Sequence, residues 1–305
     1  MSQVLITGVA GFIGSKIASR FLQEGYNVFG VDDLSSGLIN NIPKEVEFIE
    51  EDLANESVLN KLPKCKLILH LAGQSSGEIS FDNPILDLEK NTISLLNLIK
   101  YSIQNNIEKI IYASSMSVYG NVLDLPTPES NIAKPLSCYG VGKKASENYL
   151  YVFKDKFPSI SFRMFNVYGP GQNLKNLRQG MVSIFLAQAL KNNYIEIKGS
   201  VSRFRDFIYI DDVVDIWFKA ANMKLSENLI INLGTGVKTT VRELADQICA
   251  LVPNTTYFES NETPGDQNGI YADIKLLKNL FNYENFINIE DGLKKFYQWA
   301  KNNNF

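Results

Sequence analysis

The chain has 305 residues, 45% hydrophobic and 21% charged, with a formal net charge of -3, so it has soluble-globular composition and length for one large or two ordinary domains. Its Lys and Arg residues are scattered, which argues against a nucleic-acid-tracking surface. Cys65, Cys138 and Cys249 are too few and too far apart for a disulfide framework or a zinc site, and no apolar run reaches the ~20 residues of a membrane span.

In chain order, Val4 to Thr7 predicts a strand, followed by glycines at 8, 11 and 14. From Phe12 to Gln23 the apolar residues Ile13, Ile17, Phe21 and Leu22 share one side, so a helix is expected. Asn27 to Val31 predicts a second strand ending in Asp32 and Asp33, and Val46 to Ile49 a third ending near Asp52. Leu67 to Leu71 is a fourth, followed by Ala72 and Gly73. A helix is expected from about Pro84 to Gln104. Lys109 to Ala113 is a fifth strand, a helix follows from about Tyr139 to Phe157, and Ser159 to Met164 is a sixth strand. This alternation predicts an α/β fold, a doubly wound parallel sheet covered on both faces. Ligands in such sheets bind at the carboxyl ends of the strands.

Past Pro170 the rhythm breaks. Helices are expected over about Met181 to Lys191, Val213 to Asn222 and Val241 to Leu251, with strands at Ile195 to Ile197, Phe207 to Tyr209 and Leu229 to Leu233. The expected division is a nucleotide-binding domain over 1–170 and a smaller α/β substrate lobe over 171–305, with segments of about 205–233 returning to the first. The absence of a basic leader points to a cytoplasmic protein.

The glycines give a tight turn (Gly8), close backbone approach to a pyrophosphate (Gly11) and close helix packing (Gly14), with the phosphates at a helix N-terminus. The carboxylates of Asp32 and Asp33 suit ribose hydroxyls and repel a 2′-phosphate. The next base in sequence is Lys44, so NAD is expected over NADP. Asp52-Leu53 reads either as an adenine contact or, through Asp52, as a helix N-cap before Ala54 to Leu59. Tyr139 and Lys143 stand four apart, on one helix face. An ammonium there is expected to draw the phenol down from ~10 toward neutrality, where a general base works best. Ser115, at a strand end, can donate to a developing alkoxide or ketone or be an ordinary turn serine. His70 ends an apolar run and reads as structural.

Thr7 to Gly14, Val31-Asp32-Asp33-Leu34-Ser35-Ser36-Gly37, His70-Leu71-Ala72-Gly73, Ser114 to Gly120, Tyr139 with Lys143, Phe165-Asn166-Val167-Tyr168-Gly169-Pro170 and Arg205-Asp206-Phe207 together resemble the extended short-chain dehydrogenase/reductase family. The likeness covers nearly the whole chain and points to its nucleotide-sugar epimerases and dehydratases. The segment through Ser36-Gly37 is most similar to UDP-sugar 4-epimerases. The resemblance implies bound NAD, held by Gly8, Gly11, Phe12, Ile13, Gly14, Asp32, Asp33, Leu34, Ser36, Gly37, Asp52, Leu53, Leu71, Ala72, Gly73, Asn91, Tyr139 and Lys143. It implies catalysis by Ser115, Tyr139 and Lys143, a UDP-linked sugar at Ser115, Asn166 and Arg205, and no metal. Met181, Ile197 and Lys198 are expected near the nucleotide base.

Three positions depart from the family pattern. Met116-Ser117 stand where the dehydratases carry an Asp-Glu pair, which disfavours elimination and the decarboxylase branch. Pro264-Gly265-Asp266 is followed by Gln267 and Asn268 where many relatives carry a phosphate-gripping arginine. Gln74-Ser75 replaces a basic residue found in some hexose epimerases. The resulting expectation is C4 epimerisation of a nucleotide sugar. Net reduction or dehydrogenation, dehydration, or a non-catalytic NAD-binding regulator are the alternatives. A homodimer is expected through the helices near 84–104 and 139–157, which are apolar on more than one face.

Overall fold

The computed structural model describes residues 2–261 and 268–303. In chain order its elements are β1 (Gln3–Thr7), α1 (Phe12–Gln23), β2 (Asn27–Asp32), β3 (Glu47–Glu50), β4 (Leu67–His70), α2 (Gly77–Asp82), α3 (Pro84–Leu88), α4 (Ser94–Asn105), β5 (Lys109–Ser115), α5 (Cys138–Val152), β6 (Ser159–Met164), β7 (Asn166–Tyr168) and α6 (Met181–Asn192). There follow β8 (Tyr194–Lys198), β9 (Phe204–Arg205), β10 (Phe207–Tyr209), α7 (Ile210–Asn222), β11 (Leu229–Leu233), β12 (Thr239–Thr240), α8 (Val241–Leu251), β13 (Thr256–Ser260), α9 (Lys275–Phe281) and α10 (Ile289–Asn302).

Seven of the strands form one parallel sheet in the order β11-β6-β5-β4-β1-β2-β3, a Rossmann-like α/β fold. Every residue of β4 and β5 is buried, as strands covered on both faces must be. Alternate side chains feed two cores. Val4, Ile6, Leu69 and Ile111 join one cluster, while Leu5, Ile68, Ile110 and Tyr112 join the other. Strand order reverses between β4 and β1, so the loops after these two strands diverge and open a crevice. Thr7 is in register with both Val31 and His70, which sets the carboxyl ends of β1, β2 and β4 level around it.

β11 extends the sheet by pairing with β6, with Ile231 against Phe162. Three further two-stranded pairings, β10 with β7, β12 with β9 and β13 with β8, carry the chain around the sheet's edge. Lys109 ties the two parts together. Its buried ammonium donates to the carbonyls of Ala220, Ala221 and Met223 at 2.8, 2.7 and 2.8 Å, satisfying the end of α7.

The expected elements differ from the observed ones in several places. The single helix expected over 84–104 is broken by a π turn, Glu89–Ile93, between α3 and α4. α5 stops at Val152 rather than Phe157, since Phe157 precedes a proline and is disfavoured in helix, and it turns instead into the core. α7 begins at Ile210, with Asp211 and Asp212 in its first turn where the helix dipole favours them. α2, β7, β9, β12, β13, α9 and α10 had no expected counterpart. Among the described residues no helix is long and apolar enough to cross a membrane.

Candidate active site

Two loops make the floor of the crevice. Gly8 has φ +70°, and a Cβ on it would lie 2.7 Å from the Ala72 nitrogen; one on Gly14 would lie 2.1 Å from the Gly8 oxygen. The 8–14 turn, the start of α1 at Phe12 and Ile13, and the Leu71-Ala72-Gly73 loop are thus in direct contact, and side chains there would fill the cradle. Thr7 Oγ1 stitches them, accepting from Leu71 N–H at 3.2 Å and Ala72 N–H at 3.1 Å and pairing with His70 Nδ1 at 2.8 Å. His70 is fully buried, and burial, then the nearby Lys143 charge, pushes its pKa down to about 3. It is a neutral scaffold residue.

At the end of β2, Asp32 accepts from Ala10 N–H and Leu34 N–H, both at 2.9 Å. Leu34 adopts φ +56°, a left-handed conformation uncommon for leucine and typical of functional turns. A Cβ on Gly37 would lie 3.0 Å from Asp32 Oδ1, so the Ser36-Gly37 turn folds against that carboxylate. Burial raises the Asp32 carboxyl despite its two backbone donors.

The expectation that no base stands near these acids is wrong. Lys90, distant in sequence, places its ammonium 2.5 Å from Asp33 and 2.7 Å from Asp52. The π turn brings it there, and no local sequence signal reports that. The N-cap reading of Asp52 also fails. Asp52 Oδ1 accepts from Ala54 N–H at 2.9 Å, but the short helix Glu56–Asn60 is capped by Asn55. Leu53 beside it is buried, and its carbonyl accepts from Asn97 at 2.8 Å.

Ser115 ends β5. Its hydroxyl accepts from Ser117 N–H at 3.1 Å, and it lies near enough to the Tyr139 phenol to lower that group's pKa. Ser137 caps α5 by accepting from Gly140 N–H at 3.1 Å, which fixes the turn carrying Tyr139 and Lys143. The Lys143 ammonium lies 5.6 Å from the centre of the Tyr139 ring and 5.0 Å from that of Tyr112. The expected drop in the Tyr139 pKa does not occur in the protein without cofactor. Burial pushes the phenol up to about 12, with the Ser115 hydroxyl working the other way and Asp87 adding to the rise. Burial likewise pulls Lys143 down to about 8, opposed by Asp87. Both groups have left water, and desolvation disfavours the charged form of each more than proximity restores it.

Asp87 was not expected here. It is 2% exposed on α3, accepts from Gln74 Nε2 at 2.8 Å and Asn91 Nδ2 at 3.1 Å, and has its own carboxyl raised by burial. Its spacing of four from Asn91 was the one signal that pointed to it. Asn91 also donates to the Gln74 carbonyl at 2.9 Å, while its Oδ1 is buried without a partner among the described residues. That oxygen and the Lys143 ammonium converge on Gly73, 2.5 and 3.5 Å from where a Cβ would sit. The Lys143 ammonium makes no hydrogen bond among the described residues. A buried orphan acceptor, an unengaged ammonium and a side-chain-free cradle fit a dinucleotide that donates and accepts at these points.

Beside this trench is a cavity of about 300 Å³ lined by Met116, Ser117, Leu136 and Ser137, the neighbours of Ser115 and Tyr139. Asn166 reaches it from β7, donating to the Asp206 carbonyl at 3.0 Å. Lys198, Arg203 and Arg205 make one wall cationic. Arg205 is 2% exposed and donates to the Phe204 carbonyl at 2.8 Å; burial, then the neighbouring Arg203 charge, lowers its pKa to about 10. Asp206 is not its counter-ion. That carboxylate accepts from Thr235, Gly236 and Ala272 backbone N–H groups. Met181 and Lys198 line the cavity; Ile197 is buried in the core cluster instead. Pro264 to Gln267 lie outside the described residues.

The opposite rim was not legible in the sequence. Arg178 pairs with Glu78 at 3.3 Å and Asp82 at 2.7 Å, and Gln179 donates to Ser75 Oγ at 2.6 Å. The loop before α6 is thereby sewn to α2 across the cavity. A separate surface depression between Phe286 and Lys295 shares no residue with the strand-end loops.

Residues 4–234 match the NAD dependent epimerase/dehydratase family, and the chain belongs to that family. It is 35% identical to the UDP-glucose 4-epimerase of Mycolicibacterium smegmatis over 82% of each chain. It is 30% identical to a UDP-glucuronic acid decarboxylase of Danio rerio, over 97% of this chain and 72% of that one. The crystal structure of a Thermotoga maritima UDP-glucose 4-epimerase with UDP-glucose superposes with a TM-score of 0.93 at 32% identity, covering 99% of each chain. The protein is an enzyme family member whose cofactor is NAD.

Proposed function

We propose that this chain is a UDP-hexose 4-epimerase. The observation that carries the reading is the buried set Ser115, Tyr139 and Lys143 beside a cavity whose Met116-Ser117 wall offers no acid. An elimination or a decarboxylation needs a carboxyl group there; of the two acids that line the cavity, Glu78 is paired with Arg178 and Glu196 stands on β8 with Lys198 rather than beside Ser115. The similarity to UDP-glucose 4-epimerases supports the same reading.

When bound, NAD supplies a hydride acceptor that returns the hydride within one turnover. The chain's own residues manage the proton. Tyr139 Oη takes the proton of the sugar's C4 hydroxyl, directly or through Ser115 Oγ, and gives it back. Lys143 supplies the positive charge that a phenolate needs in a dry site. Arg205, with Arg203 and Lys198, holds the diphosphate, and Asn166 donates beside it. The 4-keto sugar turns about that anchored diphosphate and presents its other face. The exposed apolar side chains Ile85, Leu88, Val141, Tyr149 and Val152, on the adjoining α3 and α5, support a homodimer through this surface; light scattering that reports a monomer at micromolar concentration rejects it.

The purified protein, with no NAD added, is expected to convert one of UDP-glucose, UDP-GlcNAc or UDP-glucuronate, but not a GDP-sugar, to its C4 epimer. Stoichiometric formation or loss of NADH would instead identify a net oxidoreductase, and products lacking water or carbon dioxide would identify the other branches.

A further inference from the structure

One π turn serves two distant loops. Adjacent residues of an α-helix point about 100° apart, and the wider π turn Glu89–Ile93 changes that presentation. Asn91 turns inward to the Gly73-Gln74 loop, whereas Lys90 turns to the ends of β2 and β3. Those ends are acidic: Asp32 and Asp33 on one, Glu50, Glu51 and Asp52 on the other. Lys61 engages Glu51 from the outside. Lys90 engages Asp33 and Asp52 together, and its side chain is only 19% exposed. Asp33 is held ionised by this: burial raises its carboxyl, but the Lys90 and Ser35 hydrogen bonds outweigh burial and lower it.

A solvent-exposed ion pair between neighbours contributes little. This bridge differs because it joins three separate segments, the turn after β2, the turn after β3 and the π turn, around the acids that face the ribose. We propose that Lys90 is a cofactor-retention residue: its ammonium laces the ends of β2 and β3 to the π turn and closes the adenosine end of the NAD cleft. Retention suits a cofactor that is regenerated in each cycle, since a slow off-rate costs no turnover. The same lacing cancels part of the acidic rim that would repel a diphosphate. It rests on NAD binding alone and holds whichever reaction the site performs.

The test is the rate at which purified holoprotein loses NAD after dilution, read by enzymatic conversion of the freed NAD to NADH. Lys90→Met is expected to release NAD roughly tenfold faster, and Lys90→Arg, which can span the same two carboxylates, to stay near the parent rate. Cofactor-free Lys90→Met is expected to melt close to the parent, which separates retention from folding. If that variant does not fold, Lys90→Gln carries the same expectation. Release from the folded Met or Gln variant within twofold of the parent overturns the proposal.

Discussion

Lys143 and Glu147 lie one turn apart on the same buried face of α5, yet their surroundings are finished to different degrees. Glu147 is fully partnered. Arg163 donates to it through two nitrogens at 2.9 and 2.8 Å, Ser114 adds a bond at 2.7 Å, and Lys144 lies at 3.3 Å. Burial raises its carboxyl, but these partners outweigh burial and leave it lowered. Lys143 has rings and one counter-charge near it, but no hydrogen bond among the described residues. The first neighbourhood is complete and contributes stability. The second is incomplete, and what it lacks is what a bound dinucleotide and sugar bring. Burial alone therefore does not mark a functional charge; burial without a completed shell does.

Removing each charge sharpens the contrast most. Glu147→Ala strands Arg163 and is expected to cost about 3–5 kcal/mol, measured by urea unfolding of the cofactor-free protein. That contribution is present above the free glutamate pKa and is lost as acid protonates Glu147 through its lowered value. Lys143→Met is expected to do the reverse at neutral pH, adding roughly 1–3 kcal/mol while abolishing turnover. The sign follows from linkage. With Lys143 at about 8 in the fold, the unfolded chain holds this proton longer, so stability from this group rises as pH climbs from about 8 toward the free-lysine value. A Lys143→Met protein less stable than the parent would break the comparison.

Tyr139→Phe probes the proton path. The ring stays packed and only the hydroxyl that meets Ser115 is lost, so turnover is expected to fall by roughly 10²-fold or more with melting little changed. Near-normal turnover in a folded variant would remove Tyr139 from the mechanism.

The smallest effect tests Asp87. It faces Lys143 from α3, while Tyr112 of β5, the neutral His70 of β4 and Tyr139 of α5 surround the ammonium without adding a negative charge in their protonated forms. Asp87→Asn keeps an acceptor for Gln74 but removes the charge that holds the Lys143 proton. The alkaline limb of kcat/KM is expected to move down by roughly one pH unit. A profile that overlays the parent's would make Asp87 a purely structural acid.

Much of the fold and site could be read from local pattern. The strand Ser159–Met164, the helix Phe12–Gln23 and the strand Leu229–Leu233 follow from periodicity and glycine punctuation alone. The π turn did not, because apolar residues run on both sides of it and no residue type marks where one falls. Ser115, Asn166 and Arg205 were placed by resemblance, and they stand at or beside one cavity. Asp87, Lys90, Glu78 and Arg178 were missed, because the charge that each one faces comes from a segment remote in the chain.

The amino-acid sequence by itself determined the parallel sheet, the glycine cradle and the Tyr139–Lys143 pairing, because these depend on the identity and spacing of near neighbours. Only the tertiary structure decided the charge states of Tyr139 and Lys143, the counter-charge at Asp87 and the bridge from Lys90. Desolvation and Coulomb interactions depend on distance through space, and residues far apart in the chain set both.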